Sequence, residues 1–139
     1  MCCHREAWFQ IVRRDRPKLY GDEMSIERIN AGPRMSQAVV HGNTVYLAGI
    51  VAEDPSTDVK GQTTQILAKI DSLLAAAGTD KTMLLKANIW LADMATFGQM
   101  NAAWDAWVSP GNTPARATVE ATLAGPQYGV EIMVEAARA

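Results

Sequence analysis

The sequence is poor in the residues from which most enzyme chemistry is built. Its 139 residues include only two histidines, His4 and His41, and two cysteines, Cys2 and Cys3. Adjacent cysteines cannot staple distant parts of a fold, so a disulfide framework is not expected. Cys2, Cys3 and His4 lack the second ligand cluster that a tetrahedral metal site needs, and no metal is expected. His41 sits beside Gly42 and Asn43 and reads as a solvated turn residue rather than a general base. No Gly-x-Gly-x-x-Gly follows a strand and no Walker-type lysine loop is present, so a nucleotide cofactor has no support. A Gly-x-Ser-x-Gly nucleophile elbow is absent too. We expect no cofactor.

Other absences bound the partners. Thirteen Lys and Arg against fifteen Asp and Glu give a net charge of -2, without the basic footprint of a nucleic-acid binder. No apolar run approaches the ~20 residues of a membrane helix, so no membrane partner is expected. The patch Ala7–Val12 is short and interrupted, unlike the apolar region of a secretory signal. A reducing cytoplasm suits this cysteine use.

What is present suits one domain. Residues 1–23 differ from the rest. They carry Arg5, Arg13, Arg14, Arg16 and Lys18, broken by Pro17 and Gly21. They read as a poorly ordered N-terminal extension, with a docking tail as the alternative. Met24 opens the domain, residues 24–139.

Within that domain, Ser25–Ile29 alternates as a short edge strand. "AVVHGNTVYLAG" holds two strand-like runs around a Gly-Asn turn, placing Val45, Leu47 and Gly49 on one face and Tyr46 and Ala48 on the other. "TTQILAKIDSLLAAAG" is a helix with one apolar stripe, Ile66, Leu67, Ile70, Leu73 and Leu74, and Gly78 as its cap. "MLLKANIWLAD" is a strand with Leu85, Ala87, Ile89 and Leu91 on one side. "MATFGQMNAAWDAWV" is a second helix with Phe97, Met100, Ala103, Trp104 and Trp107 directed to the core. The end reads as a closing hairpin that turns at Ala124–Gln127.

The order β, β, β, α, β, α, β, β predicts an α+β fold, a mixed sheet with both helices on one face. The other face then offers Tyr46, Trp90, Thr118 and Met133. These residues are neither fully polar nor fully apolar, and the chain has no third layer for them. Other subunits are expected to cover that face.

Two charged residues stand out in the closing strands, Arg116 at the start of "ARATVE" and Glu131 within "VEIMVEAA". An arginine offers a planar fork for a carboxylate. A half-buried glutamate can hold a water or relay a proton. The bland alternative is a structural ion pair of Arg116 with Glu120 or Glu131. Whether Arg116 and Glu131 share a face depends on register, which parity alone does not fix.

From Ile26 to Ala139 the sequence resembles the RidA/YjgF family of reactive-intermediate deaminases, most closely its YoaB-like branch. The resemblance rests on "NTPARATVEA", on "VEI" fifteen residues beyond Arg116, on "YLAG" after a hairpin, and on "FGQMNAAWDAW" in the second helix. It implies a chorismate-mutase-like fold, a homotrimer and clefts between subunits. It also implies hydrolysis of 2-imino and enamine acids to 2-oxo acids and ammonia. Arg116 falls on the family's carboxylate-binding arginine and Glu131 on its water-handling glutamate. Asn101, Thr118 and Gly49 fall on cleft positions. Met35 and Ala48 stand where the family often has a tyrosine and a serine, so two hydroxyls are missing. The alternative is a trimeric module that binds small carboxylates without catalysis.

Overall fold

A computed structural model of the chain describes residues 25–139. The expected extension, residues 1–23, with Cys2, Cys3 and His4, lies outside the described residues, as does Met24.

Chain order gives β1 (Ile26–Ile29), β2 (Ala38–His41), β3 (Thr44–Leu47), α1 (Val59–Ala76), β4 (Leu84–Leu91), α2 (Phe97–Trp107), β5 (Ala115–Glu120) and β6 (Val130–Ala137). Short 3-10 turns at Lys81–Met83 and Met94–Thr96 precede β4 and α2. The strands form one six-stranded mixed sheet in the order β1-β2-β3-β6-β4-β5. This is the α+β, chorismate-mutase-like arrangement that the resemblance implies.

Local chemistry explains much of it. The β2–β3 hairpin closes through Gly42 at φ 61°, in the first position of its two-residue turn, where a positive φ calls for glycine. Asp58 caps α1 by accepting from the Gly61 amide at 2.8 Å. At the other end Gly78 takes φ 82°, and the Thr79 amide reaches back to the Leu74 carbonyl at 2.9 Å. That closure satisfies carbonyls the helix would otherwise leave open. The expected stripe, Ile66, Leu67, Ile70, Leu73 and Leu74, is buried against the sheet. Facing it are Val45, Leu47, Ala87, Ile89, Ile132 and Val134.

Three expectations need correction. First, β5 and β6 are not a hairpin. β4 lies between them, parallel to β5 and antiparallel to β6. The turn near Gly125 does form, with the Tyr128 amide on the Gly125 carbonyl at 3.2 Å. It belongs to a longer connection that carries the chain across the end of β4.

Second, Leu85 is 49% exposed while Leu84 is buried. The β4–β6 register shifts between Leu84 and Lys86. An extra residue in one strand reverses its parity on one side of the bulge.

Third, Phe97 is 40% exposed and leaves the core stripe, whereas Met100, Ala103 and Trp104 stay in it. Trp107 is half-buried, and its indole N–H donates to Asp71 at 2.9 Å.

Candidate functional site

The register decides where each candidate side chain points. Arg116 pairs with Ala87, and Thr118 with Ile89. Ala87 and Ile89 are buried beneath the helices. Arg116 and Thr118 therefore lie on the helix-covered face, at the β5 edge. Thr118 was expected on the open face with Tyr46, Trp90 and Met133. Its parity follows β4, which the sequence of β5 alone does not reveal.

Glu131 pairs with Trp90, whose neighbours in β4 point the opposite way. It stands on the open face, half-buried, between the buried Val130 and Ile132. Arg116 and Glu131 thus project from opposite faces of one sheet. Their strands are two strand spacings apart, about 9.5 Å.

The arginine half is tightly defined. Arg116 Nη1 donates to Asn101 Oδ1 at 2.8 Å. Its guanidinium carbon lies 5.4 Å from the centre of the Trp104 ring and 6.0 Å from that of Phe97. Phe97, Asn101 and Trp104 recur at helical spacing, so one face of α2 presents all three to the β5 edge. Among the described residues, no carboxylate pairs with Arg116. Glu120 accepts instead from the Met94 amide at 3.1 Å, and the one ion pair among the described residues joins Arg138 to Glu27 at 3.4 Å. The alternative of a structural pair with Glu120 or Glu131 is thereby overturned. Below the arginine, Thr118 Oγ1 is buried without a hydrogen-bond partner.

The glutamate half is built around a missing side chain. A Cβ on Gly49 would lie 3.2 Å from Glu131 Cδ and 3.3 Å from its Oε2. Gly49 therefore faces Glu131 rather than sharing a face with Val45 and Leu47. The alternation of β3 breaks after Leu47, and the chain rejoins β6 at Ile50, which bridges Ile132. Ala48, expected beside Tyr46, packs against the core instead. Its amide donates to the Gln37 carbonyl at 2.9 Å. Gly49 and the 48% exposed Met35 open onto a groove of about 850 Å³, flanked by Glu53 and, from α1, Gln65 and Lys69.

So the structure gathers Arg116, Asn101 and Thr118 at one place and Glu131 and Gly49 at another, while Met35 shares with Gly49 the groove along α1, which Glu131 does not line. Sequence reasoning missed the aromatic bed under Arg116, although the spacing of Phe97, Asn101 and Trp104 was there to be read. It also missed Glu53 and Lys69 in the groove, which no local pattern marks. Among the described residues, no group of three His, Cys, Asp or Glu could hold a metal ion. No helix there is long and apolar enough to cross a membrane.

Comparison with known proteins sets these features in context. The sequence pattern of the family described as Endoribonuclease L-PSP matches residues 25–138. The RutC family protein YoaB of Escherichia coli K12 is 47% identical over 114 residues, 82% of this chain and 99% of that one. The 2-iminobutanoate/2-iminopropanoate deaminase of Rattus norvegicus is 35% identical over 107 residues, 73% of this chain and 76% of that one. Among solved structures, a YjgF-family protein of Neisseria meningitidis superimposes with a TM-score of 0.82 at 44% identity, over 84% of this chain and 98% of that one.

Proposed function

The chain belongs to the endoribonuclease L-PSP family, the YjgF/RidA proteins, within its YoaB-like branch, and on that premise we propose that it hydrolyses small 2-imino acids and their enamine tautomers to 2-oxo acids and ammonia. The observation that carries the proposal is Arg116: an exposed arginine fork held by a neutral amide and two aromatic rings, with no acid paired to it among the described residues. Such a cation keeps its full charge for an anionic ligand. The remaining N–H donors suit a carboxylate, which a planar guanidinium binds through two parallel hydrogen bonds. The rat relative at 35% identity is named for this activity, which supports the substrate class.

The second group required is Glu131. In the proposed reaction its carboxylate orients a water and takes a proton as the water oxygen bonds to C2. The C=N π electrons move to nitrogen, giving a carbinolamine. The proton held by Glu131 passes to that nitrogen to complete the amine, the hydroxyl proton follows it, and as the C–N bond breaks the electron pair left on oxygen makes C2 a carbonyl and ammonia leaves. The imine reacts readily with water, so positioned groups suffice without a cofactor.

The carboxylate and C2 of a substrate are bonded atoms. Arg116 and Glu131 on opposite faces of one sheet cannot serve both in a single copy. We therefore assign the pocket to the junction of two copies, Arg116, Asn101 and Thr118 from one, Glu131, Gly49 and Met35 from the next. A ring of three such junctions, a homotrimer, also covers the open sheet face with Tyr46, Trp90 and Met133. We place this chemistry in the cytoplasm, in keeping with the cysteine usage.

A non-catalytic carboxylate-binding module would need Arg116 and not Glu131. The test is a coupled assay in which a dehydratase generates 2-iminobutanoate and semicarbazide traps what remains. Wild type should lower the trapped imine. Arg116→Ala should lose about a hundredfold or more in kcat/KM, about 2.7 kcal/mol. Glu131→Ala should lose turnover while still binding 2-oxobutanoate. A wild type that binds 2-oxobutanoate yet leaves the imine untouched would overturn the deaminase reading in favour of the binding module.

A further inference from the structure

The aromatic bed under Arg116 has an arrangement that packing alone does not require. Trp104 is only 4% exposed and belongs to the core, but Phe97 is 40% exposed and contributes little to it. Both rings nevertheless meet one guanidinium, at 5.4 and 6.0 Å, within the range of cation–π attraction. Asn101, between them in sequence, holds Nη1 at 2.8 Å. An exposed arginine on an edge strand would otherwise sample many rotamers, and fixing it only when a ligand arrives costs affinity. A carboxylate neighbour would fix it too, at the expense of neutralising the charge. Aromatic faces and an amide fix it without doing so.

We propose that Phe97 and Trp104 are positioning residues, a two-ring platform that preorganises the Arg116 guanidinium for a carboxylate while leaving its charge uncompensated. The proposal rests on the functional reading above for its biological use, but not for its physical content. Trp104 is the buried half of the platform and Phe97 the exposed half. The two rings meet the guanidinium from one helix, so the orientation of α2 against the β5 edge sets the direction of the fork. Substitution of Phe97 should leave the fold intact, and that makes it the sharper probe.

The test has two arms. In the ligand-free protein, the Arg116 side-chain Nε–Hε resonance is followed by NMR in wild type, Phe97→Leu, Phe97→Tyr and Trp104→Leu. The platform predicts a ring-current-shifted, slowly rotating guanidinium in wild type and Phe97→Tyr. In both leucine variants the shift should diminish and rotation should quicken. In the second arm, 2-oxobutanoate is titrated into the same proteins and Arg116→Ala. Phe97→Leu should weaken binding roughly three- to tenfold, and Phe97→Tyr should restore it, with melting temperatures of the Phe97 variants unchanged. In the coupled assay the Phe97→Leu loss should fall on KM rather than kcat. Unchanged Arg116 resonances in Phe97→Leu, or unchanged affinity beside a normal resonance shift, would overturn the platform. If Arg116→Ala binds 2-oxobutanoate as wild type does, the carboxylate role of Arg116 fails instead, and the first arm still decides whether the platform exists.

Discussion

Gly49 shows how closely the backbone is cut to a single side chain. A methyl group there would come within 3.2 Å of Glu131 Cδ, closer than ordinary contact, so the carboxyl would have to move by a few tenths of an ångström. Nothing about the backbone itself forbids alanine, because Gly49 is not among the glycines with positive φ. Gly49→Ala should therefore shift the proposed water-holding group without unfolding the protein. We expect turnover in the coupled assay to fall by roughly tenfold, within the range that small misplacements produce. The melting temperature should hardly change. A variant that turns over normally would separate Glu131 from the reaction. Arg116 and Glu131 were legible in the sequence because a charge inside a strand of apolar neighbours is costly unless used. Their faces were not legible. Side-chain parity is defined only relative to a neighbouring strand, and the neighbour of both turned out to be β4.

At the scale of elements, the two helices and the β2–β3 hairpin could be read directly, since their signals are local: a 3.6-residue apolar stripe and glycines at the turn and the helix end. Reading α1 from its stripe starts it too late, at Thr63, because that reading passes over the Asp58 cap that begins the helix at Val59. The closing hairpin could not. A turn signal says where the chain reverses and not which strand it returns to, and here the chain steps over β4. What secures that step is Gln62, a 4% exposed side chain on α1. Its Nε2 donates to the carbonyls of Pro55, Thr57 and Gln127 at 3.2, 3.1 and 3.4 Å, and its Oε1 accepts from the Gly129 amide at 3.0 Å. A Cβ on Gly129 would strike Val59 at 2.7 Å, so the loop lies directly on the helix. One amide thus ties the loops before α1 and before β6 together, two residues from Glu131. Replacing Gln62 with leucine would remove these part-buried hydrogen bonds, each worth about 0.5–1.5 kcal/mol net. Gln62→Leu should lower the denaturant midpoint accordingly, with the slope unchanged. Stability equal to wild type would mean water satisfies those groups. Leu85 failed for a related reason, since a bulge is a property of the β4–β6 pair and leaves no mark in β4 alone.

For the whole molecule, the decisive fact is that the two charged residues face away from each other. If the pocket forms where copies meet, each pocket takes its arginine from one chain and its glutamate from the next. Arg116→Ala chains retain an intact glutamate half, and Glu131→Ala chains retain an intact arginine half. Each variant alone should be nearly inactive. Unfolded together and refolded as mixed assemblies, they should regain activity, because some junctions then bring two intact halves together. With random assortment in a closed ring, about one junction in four pairs an intact arginine half with an intact glutamate half, so about a quarter of wild-type turnover should return. A pocket contained within one chain predicts no recovery at any mixing ratio, because every chain would carry one lesion in its own site. The same mixture, sized by light scattering, reports whether the ring has three members. Recovery near a quarter would link the register of β5 and β6 against β4, a property of one sheet, to an activity that belongs only to the assembly.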